Sequence, residues 1–116
     1  MLVLFSKGLT LEDAARLILY GHERTLILHD ESSKLIGVLS QGDILRAIWT
    51  GISTKTPIND HVNLNPLYID STASNKEGIA LKLFAEEGVL VIPELDEGRK
   101  IVNVIRVREL IGREFD

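Results

Sequence analysis

Cysteine is absent from this 116-residue chain, so it has no disulfide framework, no thiolate nucleophile and no cysteine-based zinc site. Its three histidines, His22, His29 and His61, lack any metal-ligand spacing such as H-E-x-x-H, and no metal is expected. Lysine and arginine total 13 against 17 aspartates and glutamates, a net charge of −4. The basic residues are scattered and never form a run, which disfavours nucleic acid as a partner. No apolar stretch approaches the length of a membrane span. The apolar opening, Met1 to Phe5, is too short for a signal peptide and has no basic start. A cytoplasmic, membrane-free protein is expected. Nor is there a nucleophile–base pair or a glycine-rich phosphate loop, and Gly42 alone does not make one. Autonomous catalysis is therefore not expected.

What is present is an ordinary globular composition, 45% apolar and 26% charged, written as one unit twice. At an offset of 66 residues, Leu28-His29-Asp30-Glu31 falls on Glu94-Leu95-Asp96-Glu97, and Lys34 to Leu39 falls on Lys100 to Ile105. Asp43-Ile44-Leu45 falls on Glu109-Leu110-Ile111, and Ala14 to Leu17 on Ala80 to Leu83. Each unit reads as strand, helix, strand, strand, helix. In the first, Thr10 and Asp13 make a capping-box pattern. Leu11, Ala14, Ala15, Ile18 and Leu19 follow at helical spacing, with Gly21 as the stop. Thr25 to Leu28 and Leu35 to Leu39 are hairpin partners around a turn from Asp30 to Ser33. Asp43 opens a helix through Trp49, closed by Gly51.

In the second unit, Ser74-x-x-Glu77 reads as a capping box ahead of Ile79, Leu81, Leu83 and Phe84. Val89 to Ile92 and Ile101 to Ile105 are the paired strands, and a last helix covers about residues 107–113. The polar stretch from Gly51 to Pro66 joins the units, with Thr56-Pro57 as cap and first residue of a short helix through Val62. A unit of about 55 residues has too small a core to stand securely alone. The expectation is one α+β domain, built from repeat 1 (residues 1–56) and repeat 2 (residues 57–116) packed sheet against sheet with pseudo-symmetry.

Gly37-Val38-Leu39-Ser40-Gln41-Gly42-Asp43-Ile44 matches Gly-apolar-x-Ser/Thr-x-x-Asp-apolar, at the junction of a last strand and a last helix. Ile92-Pro93 matches an apolar-Pro pair that begins a middle strand. With these motifs in a doubled unit, the chain resembles a tandem pair of cystathionine-β-synthase-type (CBS) repeats, the Bateman module, over nearly its whole length. A narrower resemblance rests on Gln41 to Ala47, Gly51-Ile52-Ser53, Pro57-Ile58 and Asn63 to Pro66. These look like the CBS pair attached to bacterial sugar-phosphate nucleotidyltransferases, which implies a regulatory fragment of a longer enzyme.

The resemblance implies a non-catalytic module that binds an adenine nucleotide (AMP, ADP, ATP or S-adenosylmethionine) and signals to a catalytic domain in cis or to a partner enzyme. Its signature Asp accepts ribose hydroxyls and its Ser bonds ribose or phosphate, roles that fall on Asp43 and Ser40. An ionised carboxylate is acceptor-only and suits a cis-diol, and backbone N–H groups at the helix start favour a phosphate. The competing assignment has Asp43 capping its helix and Ser40 satisfying a turn. Val38, Leu67 and Val89 are implied, as a set, to flank the base, though any one of them alone reads rather as core. Arg24 stands where the family carries a phosphate-binding cation, or is a solvated arginine.

The second repeat departs from the pattern: Asn103 replaces Gly, Arg106 replaces Ser, and Glu109 replaces Asp, with Arg106 placed to crowd or pair with Glu109. One site per chain is expected. The alternative to a sensor is a ligand-free association module. Leu45, Ile48 and Trp49, with Leu110 and Ile111, cannot all face inward, and exposed apolar helices mark an interface. A homodimer is expected, unless Trp49 merely closes the core of its own repeat.

Overall fold

The computed structural model describes residues 3–5, 7–21 and 24–115, and only the backbone of 3–5 and 112–115. His22, Met1 and Leu2, considered above, lie outside the described residues. The chain divides into two compact units, Met1–Pro66 and Leu67–Asp116. The first contains β1 (Val3–Phe5), α1 (Leu11–Gly21), β2 (Thr25–His29), β3 (Leu35–Ser40), α2 (Gln41–Trp49) and a 3-10 turn at Ile58–His61. The second contains β4 (Ile69–Asp70), α3 (Lys76–Glu87), β5 (Val91–Leu95), β6 (Ile101–Arg106) and α4 (Val107–Phe115). Each unit has a three-stranded sheet whose central strand pairs parallel with the first and antiparallel with the third. The α+β class read from the sequence holds.

The repeat is carried into the backbone pair by pair. Thr25↔Ser40, Leu26↔Leu39, Ile27↔Val38 and Leu28↔Gly37 in the first sheet correspond, at the same 66-residue offset, to Val91↔Arg106, Ile92↔Ile105, Pro93↔Val104 and Glu94↔Asn103. Both hairpins slip register at one place, between Leu28 and His29 and between Glu94 and Leu95. The turns are fixed locally and alike. Asp30 Oδ1 accepts the N–H groups of Ser32 and Lys34, and Asp96 Oδ1 those of Gly98 and Lys100. The left-handed residue of each turn is Ser33 (φ 66°) or Arg99 (φ 65°), not the neighbouring Gly98.

Helix α1 buries Leu11, Ala14 and Ile18 against Leu26 and Leu28 of β2, Leu39 of β3, Ile44 and Ala47 of α2, and Ile58. Leu19, at the edge of the apolar stripe, is exposed. In the second unit Ile69, Ala80, Phe84, Ile92, Ile105 and Leu110 form the core. Leu110 thus faces inward, whereas Ile79, Leu81 and Ile111 do not. Trp49 is 88% exposed, so it does not close the core of its own repeat.

Several local readings shift. The N-cap of α3 is Asn75, at φ 54°, whose side chain accepts the Gly78 N–H at 3.3 Å. Ser74 is not the cap, because Asn tolerates the left-handed conformation and reaches the third N–H. Pro57, not Thr56, precedes the 3-10 turn and makes no side-chain cap. The middle strand of the second unit runs from Val91 to Leu95, later than the residues 89–92 expected, and Pro93 sits inside it. A central strand tolerates this because the Leu95 carbonyl accepts from Ser71 N–H on the β4 side. Alternation turns the Pro93 nitrogen to that same side, where β4 pairs only with Glu94 and Leu95.

The connection from Gly51 to Pro66 belongs by contact to the first unit. Thr54 and Thr56 carbonyls accept the first N–H groups of α1, from Glu12 and Leu11, at 2.9 Å each. Val38 and Asn63 exchange two backbone hydrogen bonds, 3.1 and 2.9 Å, which closes part of the open edge of β3. This crossing explains Gly37. A Cβ there would collide with the Asn63 carbonyl and the Val62 side chain. Among the described residues no helix is long and apolar enough to cross a membrane.

Candidate functional site

The junction of β3 with α2 is built by three residues that sequence spacing alone brings together. Ser40, extended at φ −95° and ψ 163°, is the N-cap of α2, and Asp43 is its third residue. Asp43 N–H donates to Ser40 Oγ at 3.1 Å, while Ser40 N–H and hydroxyl donate to Asp43 Oδ2 at 2.9 and 2.8 Å. This is a complete capping box. The helix begins at Gln41, and the capping roles are the reverse of the competing assignment: Ser40 caps and Asp43 braces the cap. Thr10 and Asp13 make the same reciprocal arrangement at α1.

Asp43 is half-buried. Partial burial by itself would raise its pKa. The bonds from Ser40 N–H and hydroxyl, then the bond and charge of Arg46, outweigh that and hold the carboxyl below its ordinary range. Arg46 Nη2 donates to Asp43 Oδ1 at 2.6 Å from a largely exposed side chain. An ionised carboxylate has about four lone-pair sites; Ser40 takes two on Oδ2 and Arg46 one on Oδ1. The Ser40 hydroxyl has spent its proton on Asp43. The pair therefore presents acceptors only. It can receive O–H donors such as a ribose cis-diol, and it offers nothing to a phosphate oxygen.

Two of the first three amides of α2 are also engaged. Gln41 N–H donates to the Arg24 carbonyl at 2.8 Å, and Asp43 N–H to Ser40 Oγ. That weakens the expectation of a phosphate seated on this helix end. The same Gln41 bond brings Arg24, an exposed side chain, to the edge of the junction. Val38, half-buried two residues before Ser40, pairs with Ile27 and with Asn63 through its backbone. Four of the six candidate residues, Arg24, Val38, Ser40 and Asp43, thus gather at one end of the first unit. Leu67 and Val89 lie in the second unit, both half-buried; Leu67 precedes β4 and Val89 packs against the second core.

The equivalent junction, β6 with α4, carries Arg106 and Glu109, paired at 3.8 Å. Sequence reading anticipated that pairing. It missed the Arg46–Asp43 pair, although an i,i+3 spacing of opposite charges is a visible signal. It also missed Glu94, a buried carboxylate paired with Lys76 at 3.1 Å, where the first unit has Leu28. No local pattern marks that charge.

Two strand–helix–strand–strand–helix units in one register, each turning from its last strand straight into its last helix, define a tandem-repeat α+β module. Residues 2–50 match the family model for the CBS domain. The match falls within the first unit, and the whole chain is similar in fold to solved CBS domain proteins. It resembles the CBS domain protein PAE2072 from Pyrobaculum aerophilum, solved with AMP, at a TM-score of 0.77 and 18% identity over 94% of this chain and 82% of that one. It also resembles the CBS domain pair of protein MJ0100, solved with 5′-methylthioadenosine and S-adenosyl-L-methionine, at 0.75 and 22% over 99% and 91%. At such identities the likeness is one of fold. An uncharacterized protein of Helicobacter pylori is 27% identical over 88 residues, 73% of this chain and 26% of that protein. The chain spans about a quarter of the length of the curated relatives it matches.

Proposed function

We propose that the chain is a regulatory module that binds one adenine nucleotide (AMP, ADP, ATP or S-adenosylmethionine), with the ribose diol received by Asp43 and Ser40. Val38, Leu67 and Val89 flank the base and Arg24 meets the phosphate end. The signal passes to an enzyme, in cis or as a partner; a sugar-phosphate nucleotidyltransferase fits the narrower resemblance. The module works in the cytoplasm and needs no metal. One observation carries the reading: the acceptor-only Ser40–Asp43 pair stands at a strand–helix junction whose counterpart in the second unit folds in the same register without it. The adenosine ligands of similarly folded proteins supply the ligand class. Calorimetry with the four nucleotides tests it. The expected result is one site per chain; no heat with any of them at millimolar concentration rejects the sensor.

A second reading, a ligand-free association module, is favoured by Leu45, Ile48 and Trp49, all exposed on α2. Such a face suits a two-fold homodimer, an assembly that the nucleotide-binding reading also accommodates. Light scattering is expected to give a dimer that Trp49→Ala weakens; a monomer at micromolar concentration removes the association reading.

A further inference from the structure

Asp43 cannot offer all of its acceptor sites while Arg46 holds Oδ1 at 2.6 Å. A cis-diol has two protons to donate, and with Arg46 in place only one of the roughly four carboxylate sites is left for them. The guanidinium therefore competes with any ligand that seats both hydroxyls on the carboxylate, and it is also the cation paired with that carboxylate. A second observation marks the same spot. Gly42 sits in the first turn of α2, where a glycine weakens the helix. A Cβ there would lie 3.3 Å from Arg46 Nη1 and 3.7 Å from Ser40 Oγ. The missing side chain leaves room for the guanidinium to lie back over the helix start.

We propose that Arg46 is a displaceable counter-ion that competes with the ribose for Asp43, and so sets how strongly the site prefers phosphorylated over uncharged adenosine ligands. This rests on the nucleotide reading above. Bound ribose takes the Oδ1 position and the guanidinium swings into solvent, which its exposure of 71% permits. While it stays near, its charge offsets that of Asp43 toward incoming phosphates. Removing it has opposite consequences for the two ligand classes. The diol meets no competitor, and the phosphates meet an uncompensated carboxylate.

The test compares the 116-residue chain with Arg46→Ala, using adenosine and ATP in calorimetry at low and moderate salt. An exposed ion pair of this kind corresponds to about a two- to fivefold change in affinity. Arg46→Ala is expected to tighten adenosine by that factor and to lower the ATP-to-adenosine preference, with both differences shrinking as salt screens the pair. Unchanged adenosine affinity, or an equal change for both ligands, overturns the proposal and leaves the ribose site standing. If neither protein binds either ligand, the nucleotide reading fails and the competition falls with it. A carboxyl titration of Asp43 by NMR checks the pair without ligand. Its pKa is expected to rise in Arg46→Ala, and an unmoved value overturns the proposal.

Discussion

The junctions of β3 with α2 and of β6 with α4 share their strand pairings, residue for residue at one offset, and differ in the side chains that decorate them. Where the first has Gly37, Ser40 and Asp43, the second has Asn103, Arg106 and Glu109. The second unit forms the same strand and helix without the Ser-x-x-Asp box. That box is therefore not a demand of the fold, although it stabilises α2 by about 1 kcal/mol as any good cap does. Gly37 teaches the opposite lesson. It is needed because the chain returns across it at Asn63, a contact made within the first unit. Part of the signature is thus chemistry and part is steric clearance.

The largest expected effect sets the two carboxylates against each other. Asp43→Ala removes two hydrogen bonds to a charged acceptor, about 2–4 kcal/mol or roughly 30- to 1000-fold in nucleotide affinity. Glu109→Ala is expected to leave affinity nearly unchanged, with one nucleotide per chain. Two equivalent sites in a titration would break the comparison.

Next come the glycine position and its counterpart. Gly37→Ala forces a Cβ into the Asn63 carbonyl and is expected to destabilise by about 1–3 kcal/mol. Asn103→Gly loses the long 3.5 Å bond from Asn103 Nδ2 to Glu94 and places a glycine in a strand, and is expected to cost no more than about 1 kcal/mol. Urea unfolding of both variants measures the difference, and equal losses would show that no strap distinguishes the two edges.

A smaller effect concerns Glu94, which stands where the first core has Leu28. Lys76→Met takes the cation from a buried carboxylate, leaving it the long 3.5 Å bond from Asn103 Nδ2, and is expected to cost about 1–2 kcal/mol, discounted because Lys76 is partly exposed. Adding Glu94→Leu is expected to restore that stability in the same unfolding assay. A double variant weaker than the single one would mean that the polar pair organises the second unit.

Acid separates the units most gently. Asp13 is held below its ordinary range by bonds from Thr10, Glu12 by Lys55 and Arg16, and Asp43 as described; in the second unit Asp70 is lowered by Thr72. A carboxyl depressed on folding contributes stability that is fully present above its unfolded pKa, near 4, and lost as pH falls through its folded value. Three of the four lowered groups among the described residues are in the first unit. Amide hydrogen exchange between pH 6 and pH 3 is expected to show its protection falling first.

Much of this was legible because it is local. The Asp30 and Asp96 turns and the Thr10–Asp13 box each join groups two to four residues apart, where chain geometry leaves little choice, while at Ser40 and Asp43 the spacing was legible and the capping roles were not. Nor was the competition between neighbours legible. Asn75 displaced Ser74 as cap because it accepts a positive φ, and Pro93 fell inside a strand because of what lies, or ends, beside it.

The sequence by itself determined the doubled unit, its α+β class and the placing of Ser40 and Asp43 where a strand turns into a helix, since apolar periodicity and short-range hydrogen bonds are properties of the chain. Only the tertiary structure decided that Gly37 clears a path for Asn63, that Glu94 finds Lys76 across the second unit, and that Leu110 is buried while Trp49 is not. Those outcomes depend on which distant segments meet, and a pattern read along one dimension does not contain them.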